Sequence, residues 1–141
     1  MWVNGDNQPR ADTIFAAVNS SGNRVLNIHL PYSNSNVYWD CGNSGTSSYD
    51  RIYKAASSSE FEGQWNHWVF TKNASNGDMA IYLNGSVFQS GTGKTRTIGG
   101  ITSATLGSSI SSLSYEGSID EVILYNKELT ASEVSILHNS Y

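Results

Sequence analysis

Two pairs of carboxylates sit close together in this sequence of 141 residues: Glu60 with Glu62, and Asp120 with Glu121. Paired carboxylates are the machinery of glycoside hydrolysis, and retaining cleavage needs the two groups about 5–5.5 Å apart. Residues two apart on a strand share a face, whereas direct neighbours point to opposite faces. Asp120 and Glu121 therefore fail the test. Glu60 and Glu62 have the right parity, but Glu60-Phe61-Glu62-Gly63 falls in a loop ahead of the apolar run at Trp65. A solvated loop edge is the better reading of that pair. Nucleophilic catalysis fares worse, because the 23 serines include no G-x-S-x-G elbow. Cys41 is the single cysteine, so it forms neither an intrachain disulfide nor a cysteine metal cluster. The three histidines show no zinc spacing. No catalytic residue is predicted.

Recognition chemistry is better supplied. A carbohydrate site needs an aromatic ring against the apolar face of a sugar, flanked by amide, carboxylate or guanidinium groups for the hydroxyls. Arg24 to Leu30 and Asn36 to Cys41 both alternate, with Pro31 to Ser35 as a loop between them. Paired as a hairpin, they set Leu30 against Val37, Ile28 against Trp39 and Leu26 against Cys41 on a core face. The other face then sets His29 opposite Tyr38 and Asn27 opposite Asp40. A slip of one residue would drive His29 and Asp40 into the core, so the register is well specified. Tyr32 and Arg51 lie close in sequence, as do Tyr49, Asp50 and Tyr53. The predicted ligand-binding set is Asn27, His29, Tyr32, Tyr38, Asp40 and Arg51. By the same parity Trp39 and Cys41 are core residues.

The elements that must position this face follow from composition and punctuation. Charged residues make up 14% of the chain, against about 25% in an ordinary domain. Serine, asparagine, threonine and glycine fill the difference. Four Trp, eight Tyr and four Phe are too much aromatic surface for a disordered chain. Short apolar runs between Gly, Asn and Ser clusters predict an all-β sandwich. Trp65 to Lys72 is apolar at both parities, as in a strand buried on both faces. Ala80 to Leu83 and Ser86 to Phe88 flank Asn84-Gly85, the strongest short hairpin signal. Arg51 to Lys54, Thr105 to Ser108 and Gly117 to Tyr125 complete the strands, and Ser108 to Ser114 reads as a Ser-rich loop. Only the tail reads as helix: Thr130 and Glu133 form a capping box ahead of Val134, Ile136 and Leu137.

Five pieces of the second half occur in a familiar order. They are Trp65-Asn66-His67-Trp68-Val69, Ile81-Tyr82-Leu83-Asn84-Gly85, Leu106-Gly107, Gly117-Ser118-Ile119-Asp120-Glu121-Val122-Ile123-Leu124-Tyr125-Asn126, and Leu129-Thr130-Ala131-Ser132-Glu133-Val134. In these the chain resembles laminin-G-like domains of the concanavalin A-like lectin/glucanase superfamily. The resemblance implies two antiparallel sheets packed as a jelly roll, one of them curved; with the helical tail, the expected fold is an all-β jelly-roll sandwich with one short C-terminal helix. Sugar-cleaving members of the superfamily carry an E-x-D-x-x-E type motif, which is not found here. The resemblance also implies that Asp120 sits at an edge where many members bind a structural Ca²⁺ through hard oxygen ligands. His67, part of the signature, is expected to be a core histidine with its ring nitrogens satisfied by backbone groups. Trp2-Val3-Asn4 is similar to the end of the family's opening strand, whose beginning is missing, which suggests a single domain, residues 1–141, that is either taken from a longer protein or a divergent short form.

The expected function is non-catalytic recognition, lectin-like carbohydrate binding first. The alternative is a structural or adhesive domain of a larger extracellular, cell-surface or virion protein, binding a protein partner. His29 to Tyr32 and Tyr38 to Gly42 are similar to stretches of such domains in marine phage tail proteins. A formal charge of −4 without a basic stripe argues against nucleic acid. No apolar run reaches the length of a membrane span. Met1-Trp2-Val3 passes straight into Asn4-Gly5-Asp6 without a secretion signal, which an exported parent could have lost. A curtailed opening strand would leave a sheet edge that another copy could cover, so both a monomer and an edge-paired homo-oligomer are open.

Overall fold

The computed structural model describes residues 1–42, 48–108 and 114–141. The interior of the Ser108 to Ser114 stretch lies outside these. Ten strands and two helices follow one another: β1 (Trp2–Gly5), β2 (Phe15–Asn19), β3 (Arg24–His29), β4 (Asn36–Cys41), β5 (Asp50–Ala55), α1 (Ser58–Phe61), β6 (Asn66–Asn73), β7 (Asp78–Leu83), β8 (Ser86–Gly91), β9 (Ile101–Leu106), β10 (Gly117–Asp120) and α2 (Ala131–Asn139). They form two antiparallel five-stranded sheets, ordered β10-β1-β6-β7-β8 and β5-β4-β3-β2-β9. The expected sandwich is therefore present.

The inner faces meet in one core that includes Val3, Ile14, Ile28, Leu30, Val37, Trp39, Trp68, Met79 and Ile81. Trp39 is 3% exposed and donates from Nε1 to the Thr71 carbonyl at 3.0 Å, tying the two sheets together. Cys41 is buried beside Met79. The β3–β4 register is the expected one, Leu26 to Cys41, Asn27 to Asp40, Ile28 to Trp39 and His29 to Tyr38. Asn84 and Gly85 have φ of 49° and 80°, the positive values that a tight hairpin turn demands. β6 is buried on both faces because Trp68 and Phe70 face the core while Val69 packs with Leu129 and Val134 beneath α2.

Four differences from expectation have physical reasons. The strand expected over Gly117 to Tyr125 stops at Asp120, which pairs with Trp2 at the end of β1. A strand exists only where a neighbour satisfies its backbone, and β1 reaches no further. β2 (FAAVN) is too short and too rich in alanine to signal itself, but its register against β3 and β9 holds it. The loop around Glu60 contains a single helical turn, α1, capped by Ser57 and Glu60. His67 is buried as expected, yet its Nδ1 has no hydrogen-bond partner among the described residues. Its ring lies instead against Trp2 (5.1 Å between centroids) and His138 (5.6 Å).

Candidate functional site

The outer face of β3, β4 and β5 carries the predicted residues. Pairing puts His29 opposite Tyr38, Tyr38 opposite Tyr53, Asn27 opposite Asp40, and Asp40 opposite Arg51. Alternation along β5 then puts Arg51 and Tyr53 on the same face as Asp40 and Tyr38. All six predicted residues converge on this face or its rim, but in two layers.

The lower layer is closed. Asn27, His29 and Asp40 are 3%, 9% and 7% exposed. Asn27 donates from Nδ2 to His29 Nε2 at 2.8 Å, and His29 Nδ1–H donates to the Asp12 carbonyl. Those bonds require a neutral imidazole with its proton on Nδ1. Burial agrees, since it pushes the His29 pKa below its ordinary value, against the Asp12 carbonyl and Asp40, which raise it. Asn27 and His29 are thus engaged with protein groups and set the floor. The expectation of a water-facing polar strand fails for them because the Asp12–Thr13 segment lies over the end of β3.

The upper layer is open. Arg51 grips Asp40 as a two-pronged fork, Nε to Oδ1 at 2.6 Å and a terminal nitrogen to Oδ2 at 2.7 Å. That fork holds the guanidinium charged, above even its usual high pKa. The guanidinium carbon also lies 4.7 Å from the ring centroids of both Tyr38 and Tyr49, between two tyrosine faces. Tyr53 stacks on Tyr38 at 5.2 Å and 22°. Tyr32 meets Tyr38 edge-on at 6.2 Å, and Asn34 donates to the Tyr38 hydroxyl at 2.8 Å. Tyr53 is 54% exposed and Tyr49 36%. The result is an aromatic shelf with a fixed cation beside it. Tyr49 and Tyr53 lie outside the predicted set: the sequence puts both close to Arg51, but Arg51 to Lys54 is too short to fix the face they take, which the β4–β5 register supplies.

Asp50 belongs elsewhere. It faces the other side of β5 and accepts from Lys72 Nζ at 2.6 Å and from the Arg96 amide at 2.8 Å. Burial raises its pKa, but Lys72 and the Arg96 amide outweigh that and hold it below the ordinary carboxylate range.

Glu60, Glu62 and Asp120 are each engaged with a backbone amide. Glu60 is consumed by the α1 cap, accepting from the Ser57 amide at 2.7 Å, and Glu62 accepts from the Gln8 amide at 3.0 Å. Asp120 is exposed, and its Oδ1 accepts from the Glu121 amide at 2.8 Å. A calcium ion takes six to eight oxygen ligands. Among the described residues no three His, Cys, Asp or Glu side chains gather to hold a metal. A calcium ion at Asp120 would therefore need backbone carbonyls for most of its ligands.

Comparison with known proteins agrees with the architecture. The model of the family described as Laminin_G_3, concanavalin A-like lectin/glucanases superfamily, matches residues 1–135. The chain belongs to this family. No curated protein matches it. Among solved structures, domain 4 of the extracellular arabinanase AbnA from Geobacillus stearothermophilus, in complex with arabinotriose, is 24% identical with a TM-score of 0.72. The alignment covers 97% of this chain and 63% of that one. The carbohydrate-binding module of the Ruminococcus gnavus IT-sialidase, bound to α2,3-sialyllactose, is 13% identical, TM-score 0.77, with 97% and 79% covered. The binding domain of botulinum neurotoxin DC, in complex with rat synaptotagmin II, is 22% identical, TM-score 0.65, with 99% and 34% covered. At these identities the likeness is one of fold. This member of the laminin-G-like family has no helix long and apolar enough to cross a membrane among its described residues.

Proposed function

We propose that the chain is a non-catalytic, lectin-like module that binds carbohydrate on the outer face of β3–β4–β5. The observation that carries this is the Tyr53–Tyr38 stack, more than half exposed at Tyr53, beside the Arg51–Asp40 fork. A pyranose or furanose ring laid on Tyr53 buries its C–H face there. Its hydroxyls come within reach of Arg51 and the Tyr32 hydroxyl. The fork spends Asp40 on Arg51, so the site presents donors more than acceptors. Glycans being the ligands of the arabinanase domain and of the sialidase module supports the same reading. Such a module suits an extracellular, cell-surface or virion-borne parent.

The experiment is a glycan array probed with the wild-type chain and with Tyr53→Ala. Tyr53 is more than half exposed, so the variant should melt within about 2 °C of wild type. Its retention on the best glycan should fall at least about tenfold, equivalent to 1.4 kcal/mol. Unaltered retention, or retention lost only together with the fold, removes this face as the site.

A further inference from the structure

The open layer of the β3–β4–β5 face is a row rather than a point. Tyr49, Arg51 and Tyr53 recur at every second residue, and β5 is the outermost strand of its sheet. Tyr49 stands just ahead of β5, and the 4.7 Å between its ring centroid and the Arg51 guanidinium puts it on the same face. At the rise of a strand, Tyr49 and Tyr53 are about 13 Å apart. That span exceeds one sugar ring, so a monosaccharide on Tyr53 leaves Tyr49 unused.

The middle of the row is a donor group. A guanidinium carries five N–H bonds. The fork to Asp40 engages Nε and one terminal nitrogen, so Arg51 keeps donors for a ligand, between the rings of Tyr38 and Tyr49. Beneath the row the floor is closed. A pocket that grips the end of a chain needs groups below the ligand to read its terminal hydroxyls. Asn27, His29 and Asp40 hold that position, and all three are buried and bonded to protein groups. What stays open is read from above: aromatic, donor, aromatic, in order along β5.

We infer that this face takes an internal stretch of a glycan chain laid along β5, with one sugar on Tyr53, another on Tyr49 and the intervening unit at Arg51. The inference rests on the carbohydrate reading and adds the class of ligand, an oligosaccharide or polysaccharide rather than a monosaccharide or a single terminal sugar. Two contacts made by one ligand multiply, because the second is intramolecular and costs little further freedom of translation. Affinity therefore climbs with chain length until the row is filled, and then levels off.

The test is calorimetric titration of the chain with oligosaccharide ladders, monosaccharide to pentasaccharide, prepared from arabinan, xylan, cellulose, galactan and mannan. On the ladder that binds, the trisaccharide should bind at least about tenfold more tightly than the monosaccharide. Blocking its reducing end as the methyl glycoside should change nothing. Tyr53→Ala should weaken every rung. Tyr49→Ala should cut the ratio of trisaccharide to monosaccharide affinity at least about tenfold, and Tyr49→Phe, which keeps the ring, should restore it. A monosaccharide bound as tightly as its trisaccharide overturns the inference and leaves the carbohydrate reading intact. So does a trisaccharide that loses its affinity when the reducing end is blocked, which would assign the face to chain ends. An equal loss at every rung in Tyr49→Ala also overturns it. Silence on every ladder overturns it too, and the glycan array then decides the carbohydrate reading on its own.

Discussion

Asp50→Asn should be the most damaging single polar substitution near the candidate site. Lys72 carries its charge into the interior, with 4% of its side chain exposed, and Asp50 is its anionic partner at 2.6 Å. The substitution keeps the shape and leaves an oxygen to accept from the Arg96 amide, but it abandons a buried ammonium. Breaking one half of a buried pair costs about 3–5 kcal/mol. Unfolding entropy is about 2.1 cal/mol/K per residue, so over this chain 1 kcal/mol moves the melting temperature by about 3 °C. The expected fall is about 10–17 °C by calorimetry. Adding Lys72→Met to Asp50→Asn removes the stranded charge and should recover most of the loss, since buried pairs replaced by apolar groups are often neutral. The stabilisation also depends on pH. The folded state holds Asp50 below its unfolded pKa, so the contribution is complete above about pH 4 and disappears as pH falls through the folded value. A fall of less than about 3 °C for Asp50→Asn, or a double variant no better than the single, would refute the assignment of a buried charge pair.

His67 supplies a second acid sensitivity. Burial, with help from the Met1 ammonium and His138, holds its pKa at about 4. The unfolded chain takes up the proton near pH 6.5 and the folded chain does not, so stability drops as pH falls from 7 to 5, by about 2 kcal/mol from this group. His67→Phe should flatten that dependence in melts across the range, and an unchanged slope refutes it. His29→Ala leaves the Asn27 amide and the Asp12 carbonyl without their partner and should cost about 2–3 kcal/mol by denaturant titration. A loss under about 1 kcal/mol would mean that the ring is not structural. Millimolar Ca²⁺ should neither raise the melting temperature nor give saturable heat in calorimetric titration. Saturable heat would show that oxygen ligands assemble around Asp120 after all.

The β3–β4 hairpin was legible to the residue because its two faces differ so sharply in polarity that a one-residue slip is prohibitive. The Asn84-Gly85 turn was legible because few residues tolerate its backbone angles. What the sequence hid were consequences of tertiary contact. Nothing local in Asn27 or His29 announces burial, which comes from Asp12 and Thr13, some fifteen residues upstream. The pattern of Gly117 to Tyr125 is a strand pattern, yet a strand needs a neighbour, and only as far as Asp120 does β1 provide one. Tyr53 was missed for a milder reason: Arg51 to Lys54 is too short to fix its own register, and without that register its face is undefined.

The two layers of the proposed carbohydrate face explain why it can be rigid without being blocked. A recognition site gains affinity when its groups are ordered before the ligand arrives, because less freedom is then lost on binding. Here His29 is fixed by Asn27 and Asp12, Arg51 is fixed by Asp40 and held between two tyrosine rings, and Tyr38 is fixed by Asn34 and Tyr53. Each accessible group rests on one that is itself hydrogen-bonded or stacked. Removing Asp40 should therefore harm binding more than its own inaccessibility suggests. Asp40→Ala frees the Arg51 side chain from its fork, so glycan retention should fall even though position 40 meets no ligand. Asp40→Asn keeps an acceptor for one prong and should restore part of the retention. If Asp40→Ala binds glycans as well as wild type, the fork does not position Arg51 for recognition, and the tyrosines alone must account for the site.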